Sequence, residues 1–241
     1  MPEGRKKDRG GNQHQRAKKK QKCDNYEEGE CGFLVTGLTC QDALRGAKDL
    51  RLWLESETED GGAPAGQGEP PDGGGASSVA QSLEAELALM RDGGAASKRF
   101  LSVGMVCKQV AFLRAQDKSD VPSQLARQFF GSSAARPFSS RFAERICPVD
   151  GSSRPKLDTF GALAHKVLSP FSGKTWRLEF EEFRGGWNTV SKEDALAACK
   201  EVLKEENISV TGADITVLCT VMPRFVGIAP LEIEIDDLEV S

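Results

Sequence analysis

Five basic side chains, Arg154, Lys156, Lys174, Arg184 and Lys192, fall in loops or at helix starts in the C-terminal half of this 241-residue sequence. Cations placed there add to the partial positive charge of helix N-termini and to backbone N–H groups, a combination that suits phosphate oxygens. Trp187 and Asn188 stand between Arg184 and Lys192, and would supply a stacking face and a base or ribose hydrogen bond for a single-stranded end. Each cation alone reads as a solvated surface charge. Their gathering on one set of loops is what makes a phosphate-binding face. The glutamates of the same half nearly neutralise it, so modest affinity is expected unless another basic segment or a partner contributes.

Other chemistry is harder to assemble. The seven cysteines, Cys23, Cys31, Cys40, Cys107, Cys147, Cys199 and Cys219, include no pair at two-residue spacing that could begin a zinc site. They read as small core residues. Of the two histidines, His14 lies near the N-terminus and His165 flanks the apolar face of a helix. There is no Gly-x-Gly-x-x-Gly after a strand, no Gly-Lys-Ser/Thr phosphate loop and no Cys-x-x-Cys. The expectation is a protein without a catalytic centre, a metal or a cofactor. No apolar run approaches the roughly 18 residues of a membrane span, and the N-terminus lacks the apolar stretch of a secretory signal. The cytosol or nucleus is expected, with no membrane partner.

A net charge of −4 conceals an asymmetry. Up to Lys22, nine basic residues (Arg5, Lys6, Lys7, Arg9, Arg16, Lys18, Lys19, Lys20 and Lys22) face only Glu3 and Asp8, a surplus of +7 that leaves −11 for the remainder. With no apolar residue to anchor them, residues 1–29 read as a disordered arm suited to nuclear import or to RNA phosphates. Ser56 to Gly75 is rich in Gly, Pro and acidic residues and reads as a flexible insertion, about 56–78, followed by a short helix over Val79 to Arg91. Glu232, Glu234, Asp236, Asp237 and Glu239 alternate with Leu231, Ile233 and Ile235, a pattern open to a strand, although residues 230–241 read first as an acidic C-terminal tail.

The elements that must position these residues follow from pattern. The run Phe33-Leu34-Val35-Thr36 within Cys31 to Leu38 reads as a buried strand. Thr39 and Asp42 form a capping box, after which Ala43, Ala47, Leu50 and Leu54 recur on one helical face. Strands are expected at Arg99–Val103 and Gln109–Arg114, a helix at Pro122–Phe130 with Pro in its first turn, and a strand at Arg141–Cys147. This β-α-β-β-α-β order is that of a ferredoxin-like unit. A second module follows Pro148, which closes that strand. It has a helix marked by Leu157, Phe160, Ala164, Val167 and Leu168, and a half-wet strand over Thr175–Phe183. Next come a helix opened by a Ser191/Asp194 capping box and a strand at Ile215–Met222, with Arg224 and Gly227 beginning a return. The class is α/β (α+β), divided into residues 30–135 and 136–229, with the strand at 141–148 assignable to the first module.

The chain resembles the eukaryotic THUMP-domain adaptors for tRNA cytidine acetylation over roughly Gly32 to Val226. The residues that carry the likeness are Gly32-Phe-Leu-Val-Thr36, Arg99-Phe100 with Ser102-Val103, Val110-Ala-Phe-Leu-Arg114, Arg145-Ile-Cys-Pro148, Trp176 through Arg184, and Asn188 and Val190 before the capped helix. It departs from the family at Ser152-Ser153-Arg154-Pro155-Lys156, which keeps a positive charge but lacks the usual Thr-Cys-Lys. It departs again at Gly185-Gly186-Trp187 and beyond Val226. The resemblance implies an N-terminal ferredoxin-like domain followed by a THUMP domain. It implies a non-catalytic adaptor that presents tRNA to an RNA cytidine acetyltransferase for N4-acetylcytidine formation in the D-arm, with acetyl-CoA and ATP belonging to that partner enzyme. It adds Arg145, where the domains meet, to the RNA-binding set. The nucleus, especially the nucleolus, is the expected location, with the cytoplasm as an alternative. An RNA-independent protein scaffold, or the RNA-binding subunit of another tRNA-modifying enzyme, remains an alternative reading of the same residues.

Overall fold

The computed structural model describes residues 27–60, 99–130, 138–183, 190–232 and 235–240. The basic arm up to residue 26, the helix expected at Val79–Arg91, and Arg184, Trp187 and Asn188 lie outside the described residues.

Strand β1 (Gly32–Thr36) is followed by helix α1 (Cys40–Asp60), strands β2 (Phe100–Cys107) and β3 (Val110–Ala115), helix α2 (Pro122–Phe129) and strand β4 (Arg145–Val149). Helix α1 begins at the expected cap, where Asp42 donates its N–H to Thr39 Oγ1 at 3.1 Å, and it buries Ala43, Ala47, Leu50 and Leu54 completely. It runs on to Asp60, so the first residues of the expected insertion are helical. The sheet order is β2-β3-β1-β4, with every pair antiparallel. That is the ferredoxin-like arrangement expected from element order. Strand β4 begins at Arg145 rather than Arg141, and it contains Pro148 instead of ending there. An edge strand tolerates proline because one of its sides needs no ladder donor.

The second half adds β5 (Gly151–Ser153), α3 (Leu157–Leu168), β6 (Trp176–Glu182), α4 (Lys192–Leu203), β7 (Ile215–Met222) and β8 (Phe225–Leu231). Its sheet runs β5-β8-β7-β6, with β6 and β7 parallel and the other pairs antiparallel. Ser152 and Ser153, expected in a loop, are buried in β5. Trp176 is fully buried and donates its indole N–H to Lys204 O at 2.9 Å.

Alternation of side chains across each strand fixes how the two sheets meet. Phe33 of β1 faces the helices, since its ring meets Phe130, which in turn stacks with Trp53 of α1. Leu34 therefore points the other way, together with its register partners Phe112 and Cys147. On that side Phe112 meets the Phe225 ring of β8 at 5.6 Å, and Cys147 Sγ lies 3.6 Å from Glu181 of β6. In the second sheet, Val217, Cys219 and Val221 join the core beneath α3 and α4, whereas Leu218, Met222, Phe225 and Ala229 join the core of the first module. The sheets are thus packed face to face, with α1 and the α3–α4 pair on the outside. Strand β7 is buried along its whole length.

This contact corrects one expectation. The Arg177–Glu179–Glu181 side of β6 is not uniformly wet, because β4 lies across Glu181. Within the range read as an acidic tail, residues 230–232 and 235–240 are described. Leu231 completes β8, and Leu238, in a 3-10 turn over Ile235–Leu238, is 1% exposed within the first core. Glu239 bridges to Arg145, and the Val240 N–H donates to Glu144 O at 3.0 Å, which covers the β4 edge.

Candidate nucleic-acid interface

Register places several of the predicted cations at one end of the second sheet. Ser153 is opposite Val226, Val226 opposite Val221, and Val221 opposite Glu182. Arg154 follows the first of these residues, and the β6–α4 connection that leads to Lys192 follows the last. Helices α3 and α4 both start from this end, after Lys156 and Ser191. Lys156, Lys192 and Arg154 are exposed. Arg224, on the β7–β8 turn, belongs to the same end and is a cation that the sequence reading did not assign to the site. Its only sequence signal was its position in a turn.

The two helix starts differ electrically. Helix α4 is served by its own capping box: Asp194 accepts from the Ser191 N–H at 2.9 Å and the Ser191 hydroxyl at 2.8 Å, and returns its N–H to Ser191 Oγ at 3.1 Å. Those bonds hold the Asp194 carboxyl below its ordinary pKa. Helix α3 has no side-chain cap at Lys156 and carries Asp158 in its first turn, so its leading N–H groups, which have no partner within the helix, start beside two cations and one carboxylate. Arg154 pairs with Glu28 at 2.9 Å, with the two side chains 68% and 47% exposed. A pair so open to water contributes about 0–1 kcal/mol, and a phosphate can displace the carboxylate.

Lys174 and Arg145 are placed elsewhere. Lys174 precedes β6, at the opposite end of the sheet. Strand β6 has seven residues, and at about 3.3 Å per residue its ends stand about 20 Å apart. Lys174 pairs there with Glu232, which also binds Arg127 of α2. These bonds and charges keep Glu232 below its ordinary pKa, the Lys174 hydrogen bond contributing most. Arg145 pairs with Glu181 between the modules. It lines a cleft of about 560 Å³ together with Thr36, Lys108, Glu144, Glu179 and Phe183. Burial pushes Glu181 above its usual pKa, against the lowering effect of Arg145.

Three of the described thiols, Cys147, Cys199 and Cys219, are buried. Burial, as the leading cause, pushes Cys199 up to about 12 and raises Cys219 further, and Cys147 is raised well above its ordinary value. Among the described residues no three His, Cys, Asp or Glu side chains are grouped so as to hold a metal. No described helix is long and apolar enough to cross a membrane.

No family model matches the chain, and no curated protein matches it. Among solved structures, it is similar to PH1313 from Pyrococcus horikoshii Ot3, with 11% identity over 84% of this chain and 55% of that one, at a TM-score of 0.40. A 4-thiouridine synthetase solved as an RNA complex with bound ATP shows 10% identity over 86% and 42%, at 0.37. TrmN from Thermus thermophilus shows 12% over 61% and 42%, also at 0.37. The chain spans about half the length of these structures or less. At such scores the fold rests on the strand order and register above.

Proposed function

We propose that the chain is a non-catalytic RNA-binding adaptor of the THUMP type. It holds a tRNA at the α3–α4 end of its second sheet and presents a D-arm cytidine to a separate RNA cytidine acetyltransferase, which would bring the acetyl-CoA and ATP. The observation that carries the RNA reading is the register that sets Arg154, Lys156 and Lys192 at one sheet end, beside the uncapped start of α3. The acetyltransferase role rests on the sequence resemblance alone. The basic arm suits nuclear import, so the nucleus, and the nucleolus within it, is the proposed place of work.

Reversing Arg154, Lys156 and Arg184 to glutamate should weaken tRNA binding in a gel-shift series and flatten its dependence on salt. Unchanged affinity would remove the site from this end of the sheet. Loss of tRNA N4-acetylcytidine on deleting the gene tests the adaptor role. Copurification with partners that survives ribonuclease, together with normal acetylation, would favour an RNA-independent scaffold.

A further inference from the structure

The first module carries a cationic surface that the loop end of the second sheet does not include. Arg45 on α1 and Arg141 in the segment before β4 both lie over the ring of Phe142, with their guanidinium carbons 5.2 and 4.7 Å from its centroid. Five other described arginines find carboxylates: Arg99 with Asp120, Arg114 with Glu30, Arg127 with Glu232, Arg145 with Glu181 and Arg154 with Glu28. Among the described residues no carboxylate pairs with Arg45, with Arg141, or with Lys48 one helical turn along α1. The two nearby acids in the sequence of α1 are engaged: Asp42 accepts from Thr39 Oγ1 at 2.6 Å, and Asp49 accepts from Ser140 Oγ at 2.9 Å.

The support beneath the ring is built. Ser140 Oγ also accepts the Phe142 N–H at 3.2 Å. Helix α1 approaches the same segment so closely at Gly46 that a Cβ there would lie 2.9 Å from the Ala143 methyl. A guanidinium held over an aromatic ring is preorganised and keeps its N–H edge free for bidentate contact with phosphate oxygens. The shared ring keeps the two guanidinium carbons within about 10 Å of each other, a span that neighbouring phosphates of one strand can match, at about 3.4 Å of axis each.

We propose that Arg45 and Arg141, stacked on Phe142, form a second phosphate-binding site that engages the backbone of the RNA held by the second module. This rests on the RNA-binding reading above. Position supports it: Arg141 is four residues before Arg145, whose partner Glu181 is the next-to-last residue of β6, at the end of the sheet from which α3 and α4 start.

The test uses the full chain and an unmodified tRNA transcript, with affinity measured across a salt series for four proteins. These are the wild type, the pair Arg45→Gln/Arg141→Gln, the pair Arg45→Lys/Arg141→Lys, and the triple Arg154→Gln/Lys156→Gln/Lys192→Gln. The glutamine pair should bind about three- to tenfold more weakly near physiological salt and lower the log–log salt slope by about 1.4 to 1.8, the value for two lost phosphate contacts. The lysine pair loses the same stacked forks but keeps the charge, so its slope should stay that of the wild type, which separates charge from any damage to the fold. A glutamine pair with the wild-type slope, beside a triple that loses affinity, overturns the second site and leaves the first standing. A triple that binds normally beside a weakened glutamine pair overturns the first site and leaves the second. If the wild type does not bind the transcript, both fall.

Discussion

Arg145 of β4 and Glu181 of β6 form an ion pair across the contact between the two modules, beside Cys147, whose Sγ lies 3.6 Å from the same carboxylate. The carboxyl is mostly removed from water and its pKa is raised by that burial, with Arg145 acting in the opposite direction. The pair therefore holds a charge that the surrounding packing does not favour by itself.

Arg145→Met should leave Glu181 as a half-buried, unpaired carboxylate and destabilise the fold by about 1–3 kcal/mol. The sign of the pH dependence follows from the raised pKa. As pH falls, Glu181 takes up a proton in the folded protein before it would in the unfolded chain, and a neutral carboxyl no longer needs its partner. The measured loss should be larger at pH 8 than at pH 5 in urea titrations. Equal losses at both values would mean that the pair is not what the substitution removes.

Asp150 gives a second pH-linked prediction. It accepts from the Ser123 N–H at 2.7 Å and from the Ser123 hydroxyl, and so caps α2 from across the fold. Burial raises its pKa from 3.8 to about 6 despite those bonds. Between these values the folded state binds more protons than the unfolded one, so stability falls as pH rises from about 4 to about 6. Asp150→Asn keeps an acceptor for the Ser123 N–H and cannot titrate. Its denaturation midpoints over that range should be flatter than those of the parent.

Gly227 allows the sheets to meet. A Cβ there would lie 2.8 Å from Thr220 Oγ1, 2.9 Å from the Phe225 ring and 3.0 Å from Val149 Cγ1 on β4. Gly227→Ala must push these groups apart, an overpacking that costs about 1–3 kcal/mol. Thermal melting should move down by several degrees, since about 1 kcal/mol shifts Tm by roughly 2–4 °C in a chain of this size.

Lys174 is the discriminating control for the RNA face. Placed at the far end of the sheet and bound to Glu232, it should contribute nothing to RNA affinity. Lys174→Gln should bind a tRNA transcript with the wild-type salt slope while costing less than about 1 kcal/mol of stability, as partly exposed pairs do. A slope that drops as far as it does for Lys156→Gln would mean that RNA reaches both ends of the sheet.

Most single elements were legible in the sequence because their signals are local. The helical spacing of Ala43, Ala47, Leu50 and Leu54, the Thr39/Asp42 and Ser191/Asp194 caps, and the bounds of β7 each depend on residues within a turn or two of one another. The three-residue strand β5 was not legible. Gly151-Ser152-Ser153 has no strand character of its own and is held by pairing with β8, which lies far along the chain.

By itself, then, the sequence determined the order of strands and helices, the ferredoxin-like class of the first module, and the supply of cations in the second. Only the tertiary structure decided which cations share a surface. Chain neighbourhood does not report register, and register is what set Arg154 and Lys192 at one end of a sheet and Lys174 at the other. Nor does it report face-to-face packing, which turned the apparently wet Glu181 toward Arg145. Arg45 and Arg141 meet over one phenylalanine ring because α1 closes against the segment before β4, a contact made by the folded core and written in neither local sequence.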